Sequence, residues 1–181
     1  MKHLGTVELE TNRLLLRQCR ESDYKESYKH CCSDPELCRL QGFDVHKSDE
    51  TTRRSFKEKE EQYKIDNMFY EWAIVRKDDN QFMGEIALVH YNETNNDIEL
   101  GYHLGKAFRG NGYMQEALNE ILRFAFEDLG VDQVYALILN DNISSQKVVK
   151  SGNLEYSRTI EDYDIYEDPL DQYIITINGL N

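Results

Sequence analysis

The sequence predicts an α+β fold: one domain over residues 1–181, built on a mixed, mostly antiparallel sheet flanked by helices. Three observations lead there. Apolar runs separated by short polar turns fill residues 69–104, which reads as an antiparallel meander. A glycine-bearing loop then opens a long amphipathic helix at 112–129. A near-continuous apolar run follows at 134–139, as expected of a strand buried on both faces.

Taken in order, residues 11–17 form a first strand, and 21–32 carry helical propensity started by Glu21, Ser22 and Asp23. A strongly charged helix is expected over 48–65, with Asp49 and Glu50 near its positive end and a narrow apolar stripe of Phe56, Tyr63 and Ile65. The meander strands are 69–76, 82–91 and 97–104, joined by polar turns at 77–80 and 92–96. In the helix at 112–129, Met114, Ala117, Leu118, Ile121, Leu122, Ala125 and Phe126 recur at helical spacing. Asn142 starts a short helix that stops before Gly152, and strands at 154–160 and 172–177 close the chain.

Composition narrows the function. The chain has 34 acidic and 21 basic residues, a net charge of −13, which disfavours direct nucleic-acid binding and favours cationic partners. No apolar run approaches the ~20 residues that span a bilayer, and no signal-peptide core follows the first residues, so a cytoplasmic protein without membrane partners is expected. Cys19, Cys31, Cys32 and Cys38 form no CxxC pair, so no metal site is expected, and buried free thiols are the expectation over a redox-active Cys31–Cys32 pair.

The chemistry concentrates at 104–114. A helix N-terminus offers unpaired N–H groups and partial positive charge, glycine lets the backbone come close, and Lys106 and Arg109 add cations, so the loop suits a phosphate. A Walker loop is absent, and Gln115 stands where a dinucleotide fingerprint needs a third small residue.

Arg109-Gly110-Asn111-Gly112-Tyr113-Met114 resembles the acetyl-CoA loop of the GNAT superfamily of N-acetyltransferases, whose pattern is Gln or Arg, two residues, Gly, one residue, then Gly or Ala. Met114 departs at the last place. Asn142-Ile143-Ser144-Ser145, continuing to Lys150-Ser151-Gly152, resembles the family's second block, with Asn153 where an aromatic is usual. Thr11-Asn12-Arg13-Leu14-Leu15-Leu16-Arg17 and Ile98-Glu99-Leu100-Gly101-Tyr102 further resemble the RimJ/RimL type, which acetylates ribosomal-protein N-termini.

The resemblance implies acetyl-CoA as co-substrate. Its diphosphate would rest on Arg109, Gly110, Asn111, Gly112, Tyr113 and Met114, and its pantetheine arm would run beside Tyr102 and Leu104 in a slot between 98–104 and 134–139. Asn142 and Lys147 would complete the donor site, with Lys150 near the phosphates. Acyl transfer needs a base for the amine and an acid for the thiolate. Glu99 is the implied base, with His103 on the same strand face as alternative, and Ser145 the implied acid, since Val149 stands where many relatives carry a tyrosine. The acceptor would be a cationic amine: a peptide N-terminus, a polyamine or another small amine. It would be drawn by Glu161, Asp162, Asp164, Glu167, Asp168 and Asp171 and walled by the helix at 48–65. Dimers are common in the family, and exposed tyrosines would suit a homodimer interface. Two other readings stay open here, a non-catalytic acyl-CoA sensor and an acidic protein-interaction domain.

Overall fold

The computed structural model describes residues 1–163, 166 and 168–179. Its elements run β1 (Leu9–Glu10), β2 (Leu14–Arg17), α1 (Tyr24–Ser27), α2 (Pro35–Gln41), α3 (Asp49–Ile65), β3 (Tyr70–Arg76), β4 (Gln81–Asn92), β5 (Asp97–Leu104), α4 (Tyr113–Arg123), β6 (Gln133–Leu139), α5 (Ile143–Ser151), β7 (Glu155–Ile160) and β8 (Leu170–Thr176). The strands form one sheet in the order β1-β2-β3-β4-β5-β6-β8-β7. Among the described residues, β5 and β6 pair in parallel and every other neighbouring pair is antiparallel.

Strand alternation divides the interior into two halves. On β3, Tyr70, Trp72 and Ile74 face the larger core, which α4 fills with Ala117, Leu118, Ile121 and Leu122. Ala73 and Val75 face the opposite way, onto Cys19, Cys31, Cys32, Leu37 and Phe56. Helices from the first third of the chain therefore cover one face of the sheet and α4 covers the other. Trp72, wholly buried, spends its indole N–H on the Val7 carbonyl at 2.7 Å.

Several expectations change. The helix read at 21–32 is three patterns end to end: a 3-10 turn at Glu21–Asp23, α1, and a π turn at Tyr28–Cys32. Helix α4 likewise passes into a π turn at Phe124–Leu129. Helix α2 was not anticipated, although Asp34 caps it through the Glu36 and Leu37 amides and Pro35 sits at its first position. Ile65 is 80% exposed instead of joining the stripe, because at 3.6 residues per turn it falls on the opposite side of α3 from Phe56, whereas Tyr63 shares the Phe56 side and packs there. Strand β6 is not buried on both faces: Tyr135 and Leu137 are only half-buried, since that face borders an opening.

The β4–β5 contact is tight. Gly84 pairs with Leu104, and a Cβ there would collide with the His103 carbonyl oxygen. Backbone cannot yield as a flexible side chain does, so Gly84→Ala is expected to remove about 2–3 kcal/mol of stability. Thermal denaturation should show the midpoint falling by roughly 5–10 °C.

Candidate functional site

Strands β5 and β6 pair only at Asp97–Gln133, Ile98–Val134 and Glu99–Tyr135, then part. Each keeps its outer partner: β4 pairs β5 as far as Leu104, and β8 pairs β6 as far as Leu139. The parting thus removes one ladder without unmooring either strand. It leaves the β6-facing edge of residues 100–104 beside an opening instead of a neighbour. Tyr102 spans the gap to α5, its hydroxyl donating to the Ser145 carbonyl at 3.0 Å. Burial pushes that phenol well above its ordinary value, against the Ser145 hydrogen bond, so it remains a neutral donor.

A cleft of about 480 Å³ follows this parting. Tyr102, Leu104, Arg109, Gly110, Gly112, Tyr113, Met114, Asn142, Ser145 and Lys147 all line it, which brings nearly every donor-site residue named from the sequence into one cavity. Asn111 is the exception. Its side chain turns back to the Phe108 and Arg109 carbonyls at 3.3 and 3.1 Å, and it shapes the loop from behind.

The loop itself is built to present amides. Gly110 and Gly112 have φ of 80° and 76°, the left-handed region where a side chain is strained. Arg109 Nε donates to the Leu104 carbonyl at 2.9 Å, and the Asn111 carbonyl accepts from Arg13 Nη1 at 2.9 Å. Among the described residues, no main-chain N–H from Gly110 to Gln115 has a hydrogen-bond partner. Such a row at a helix N-terminus, where the helix dipole adds positive potential, fits a diphosphate.

The three sequence departures become packing. Met114 is buried in the main core and forms part of the cleft wall. Val149 is wholly buried in the same core. Asn153 takes a φ of 62° just past α5, a turn conformation that asparagine tolerates and an aromatic does not favour.

A second cavity of about 230 Å³ lies across the parting and shares Leu40, Gln41, Tyr102, Asn142 and Ser145 with the first. Glu99 lines it, its carboxylate 3.1 Å from His90 Nδ1. His90 is largely exposed, so Glu99 has a polar path to solvent. Tyr135 stands beside Glu99; burial, with the Glu99 charge, pushes its phenol up. Asn142 caps α5 by accepting from the Ser145 amide at 3.2 Å, which fixes Ser145 at the join of the two cavities.

Helix α3 lines a third cavity, of about 310 Å³, through Ser55, Phe56 and Lys59. There Lys59 Nζ reaches Glu71 and Glu85, both at 2.6 Å. His103 borders this cavity, and its buried Nε2 has no partner. Of the acidic residues expected to draw the acceptor, Asp164 and Glu167 lie outside the described residues, while Asp171 lies on β8, opposite Thr159 of β7, and accepts from its hydroxyl at 2.8 Å. All four cysteines are buried free thiols, and burial pushes each up, Cys38 to about 11, so none is a ready nucleophile. Among the described residues no cluster of three or more His, Cys, Asp or Glu could hold a metal, and no helix is long and apolar enough to cross a membrane.

Residues 13–152 match the model of the acetyltransferase (GNAT) domain family. The chain belongs to the GNAT acetyltransferase family. It is thereby an N-acetyltransferase. A curated relative, the uncharacterised N-acetyltransferase YoaA of Bacillus subtilis, is 25% identical over 93% of this chain and 95% of its own. Among solved structures, the ribosomal-protein-S5-alanine acetyltransferase of Vibrio fischeri superposes with a TM-score of 0.80 at 16% identity, over 97% of this chain and 99% of that one. The spermidine N-acetyltransferase of Vibrio cholerae, solved with CoA and spermine, gives 0.78 at 13% identity, over 94% and 99%. These two likenesses are of fold.

One pH dependence follows. Burial, with Lys59 nearby, pushes the His103 imidazole down to about 4. The unfolded chain binds that proton near 6.5, so this contribution to stability is whole above pH 6.5 and is lost as the pH falls toward 4. Denaturant titrations of wild type and His103→Gln should show wild type losing stability relative to the variant across that window.

Proposed function

We propose that this N-acetyltransferase binds acetyl-CoA with its diphosphate on the amides of residues 110–115 and its pantetheine along the free edge of β5. The acetyl group passes to a primary amine held across the parting, in a ternary complex. The observation that carries this reading is the row of unpartnered amides beside the β5–β6 split. Lys147 at the rim adds positive charge in a protein of net charge −13.

Glu99 accepts the proton of the incoming amine, directly or through a water, and His90 gives that proton a way to solvent. A carboxylate suits this role better than His103, whose lowered pKa makes it a weak base near neutrality. Ser145, fixed by Asn142 and by Tyr102, stands where it can protonate the departing thiolate. The acceptor is a cationic amine, and both classes of acceptor named for the structural neighbours, protein and polyamine, are compatible with a site bordered by Glu99. The buried free thiols support a cytoplasmic setting and a direct transfer without an acyl-cysteine.

CoA should raise the melting temperature, because it binds the folded chain alone. A thiol-release assay with acetyl-CoA against peptides, polyamines and aminoglycosides should find an acceptor. Glu99→Gln should then lower kcat by about a hundredfold or more while CoA binding stays unchanged. Unchanged turnover removes Glu99 from the mechanism, and CoA binding without transfer to any amine leaves only an acyl-CoA sensor.

A further inference from the structure

The motif at residues 11–17 has a role that the reaction above does not use. Arg17 closes locally, its guanidinium held by both carboxylate oxygens of Asp23 at 2.7 and 2.8 Å. Arg13, just before β2, does the opposite and reaches toward the donor loop. Its Nε donates to Glu116 Oε2 at 2.6 Å and its Nη1 to the Asn111 carbonyl at 2.9 Å. The guanidinium carbon lies 4.5 Å from the centre of the Tyr113 ring, a cation–π distance. Glu116, on the first turn of α4, also accepts from the Arg13 amide at 2.7 Å and from the Thr11 hydroxyl at 2.5 Å. Gly112 adjoins this approach: Arg13 Nη2 would lie 3.5 Å, ordinary contact distance, from a Cβ at Gly112, and what calls for glycine there is its φ of 76°.

The consequence is one of peptide orientation. A trans peptide is planar, with its C=O and N–H pointing to opposite sides. Arg13 holds the Asn111 carbonyl on the outer side of the loop, so the Gly112 N–H of the same unit is turned the other way. Gly112 lines the donor cleft and Asn111 does not, consistent with that orientation. With glycine on both sides of Asn111, little in the local backbone would otherwise fix this plane.

We propose that Arg13 is a positioning residue for the acetyl donor: anchored by Glu116, it sets the Asn111–Gly112 peptide so that the loop amides face the diphosphate. This rests on the reading of residues 110–115 as the diphosphate seat. It separates Arg13 from a general structural role, because its effect should fall on the donor and not on the acceptor or the chemical step.

The test uses the full chain and the variants Arg13→Met, Arg13→Lys and Glu116→Gln. Calorimetric titration with CoA should show Arg13→Met binding about tenfold or more weakly, the loss of one charge-assisted hydrogen bond. In steady state the KM for acetyl-CoA should rise by a similar factor, with kcat and the acceptor KM within about twofold. Arg13→Lys, which reaches one of the two partners but lacks the planar fork, should recover part of the loss. Glu116→Gln should reproduce the donor effect in milder form and serves as the informative variant if Arg13→Met fails to fold. Unchanged CoA affinity in both Arg13→Met and Glu116→Gln, or donor and acceptor constants moving together, overturns the proposal. A wild-type chain that binds CoA but transfers no acetyl group sinks the catalytic reading and leaves the binding arm decisive. Failure of wild type to bind CoA sinks both.

Discussion

The parting of β5 from β6 after Glu99 is the constraint on which the site depends. It is possible because each strand keeps a full ladder on its far side, β5 with β4 and β6 with β8. The same event assembles the functional groups. The last paired residue on β5 is Glu99; β5 runs on into the glycine loop, while β6 runs on into Asn142 and the start of α5. Two stretches far apart in sequence thus border one cleft, and Tyr102 ties them across the opening through Ser145.

Charge acts against this arrangement and is overcome locally. A chain of net charge −13 presents an unfavourable average field to a polyanion. In the proposed function the loop at 109–114 would meet it with unpartnered amides, a helix N-terminus and nearby cations, which act at short range where bulk screening is weak. On the proposed reading, the carboxylate of Glu99 at the second cavity supplies local negative charge of the sign that attracts a cationic amine. Ion pairs elsewhere serve the frame. Lys59 between Glu71 and Glu85 joins α3 to the sheet, although burial still pushes the Glu71 carboxyl up against the pull of Lys59.

Much of this was legible in the residues because local periodicity carried it. The meander, the long helix and the closing strands follow from alternation and helical spacing, and the third meander strand ends where expected, at Leu104. The left-handed turns of the loop at 109–114 were legible because glycine spacing reports backbone conformation directly. Other features lacked a local signal. The two-residue β1 is too short for any period, and α2 was lost among small polar residues despite its Asp-Pro start. The half-buried side of β6 could not be distinguished from a two-sided core, because Tyr135 and Leu137 suit either. Met114, Val149 and Asn153 read as departures from a pattern, yet each is explained by packing or by a left-handed turn. The contact of Arg13 with Asn111 and Glu116 bridges about a hundred positions, and no window along the chain contains it.

The loop amides give the central claim its most direct measurement: the nuclear magnetic resonance signals of the main-chain N–H groups from Gly110 to Gln115 as CoA is added. The account predicts that these amide protons move downfield together on saturation, as they acquire an acceptor, while amides of β7 at the far edge of the sheet stay in place. If the loop signals remain still and the changes gather elsewhere, the diphosphate does not sit where these residues place it.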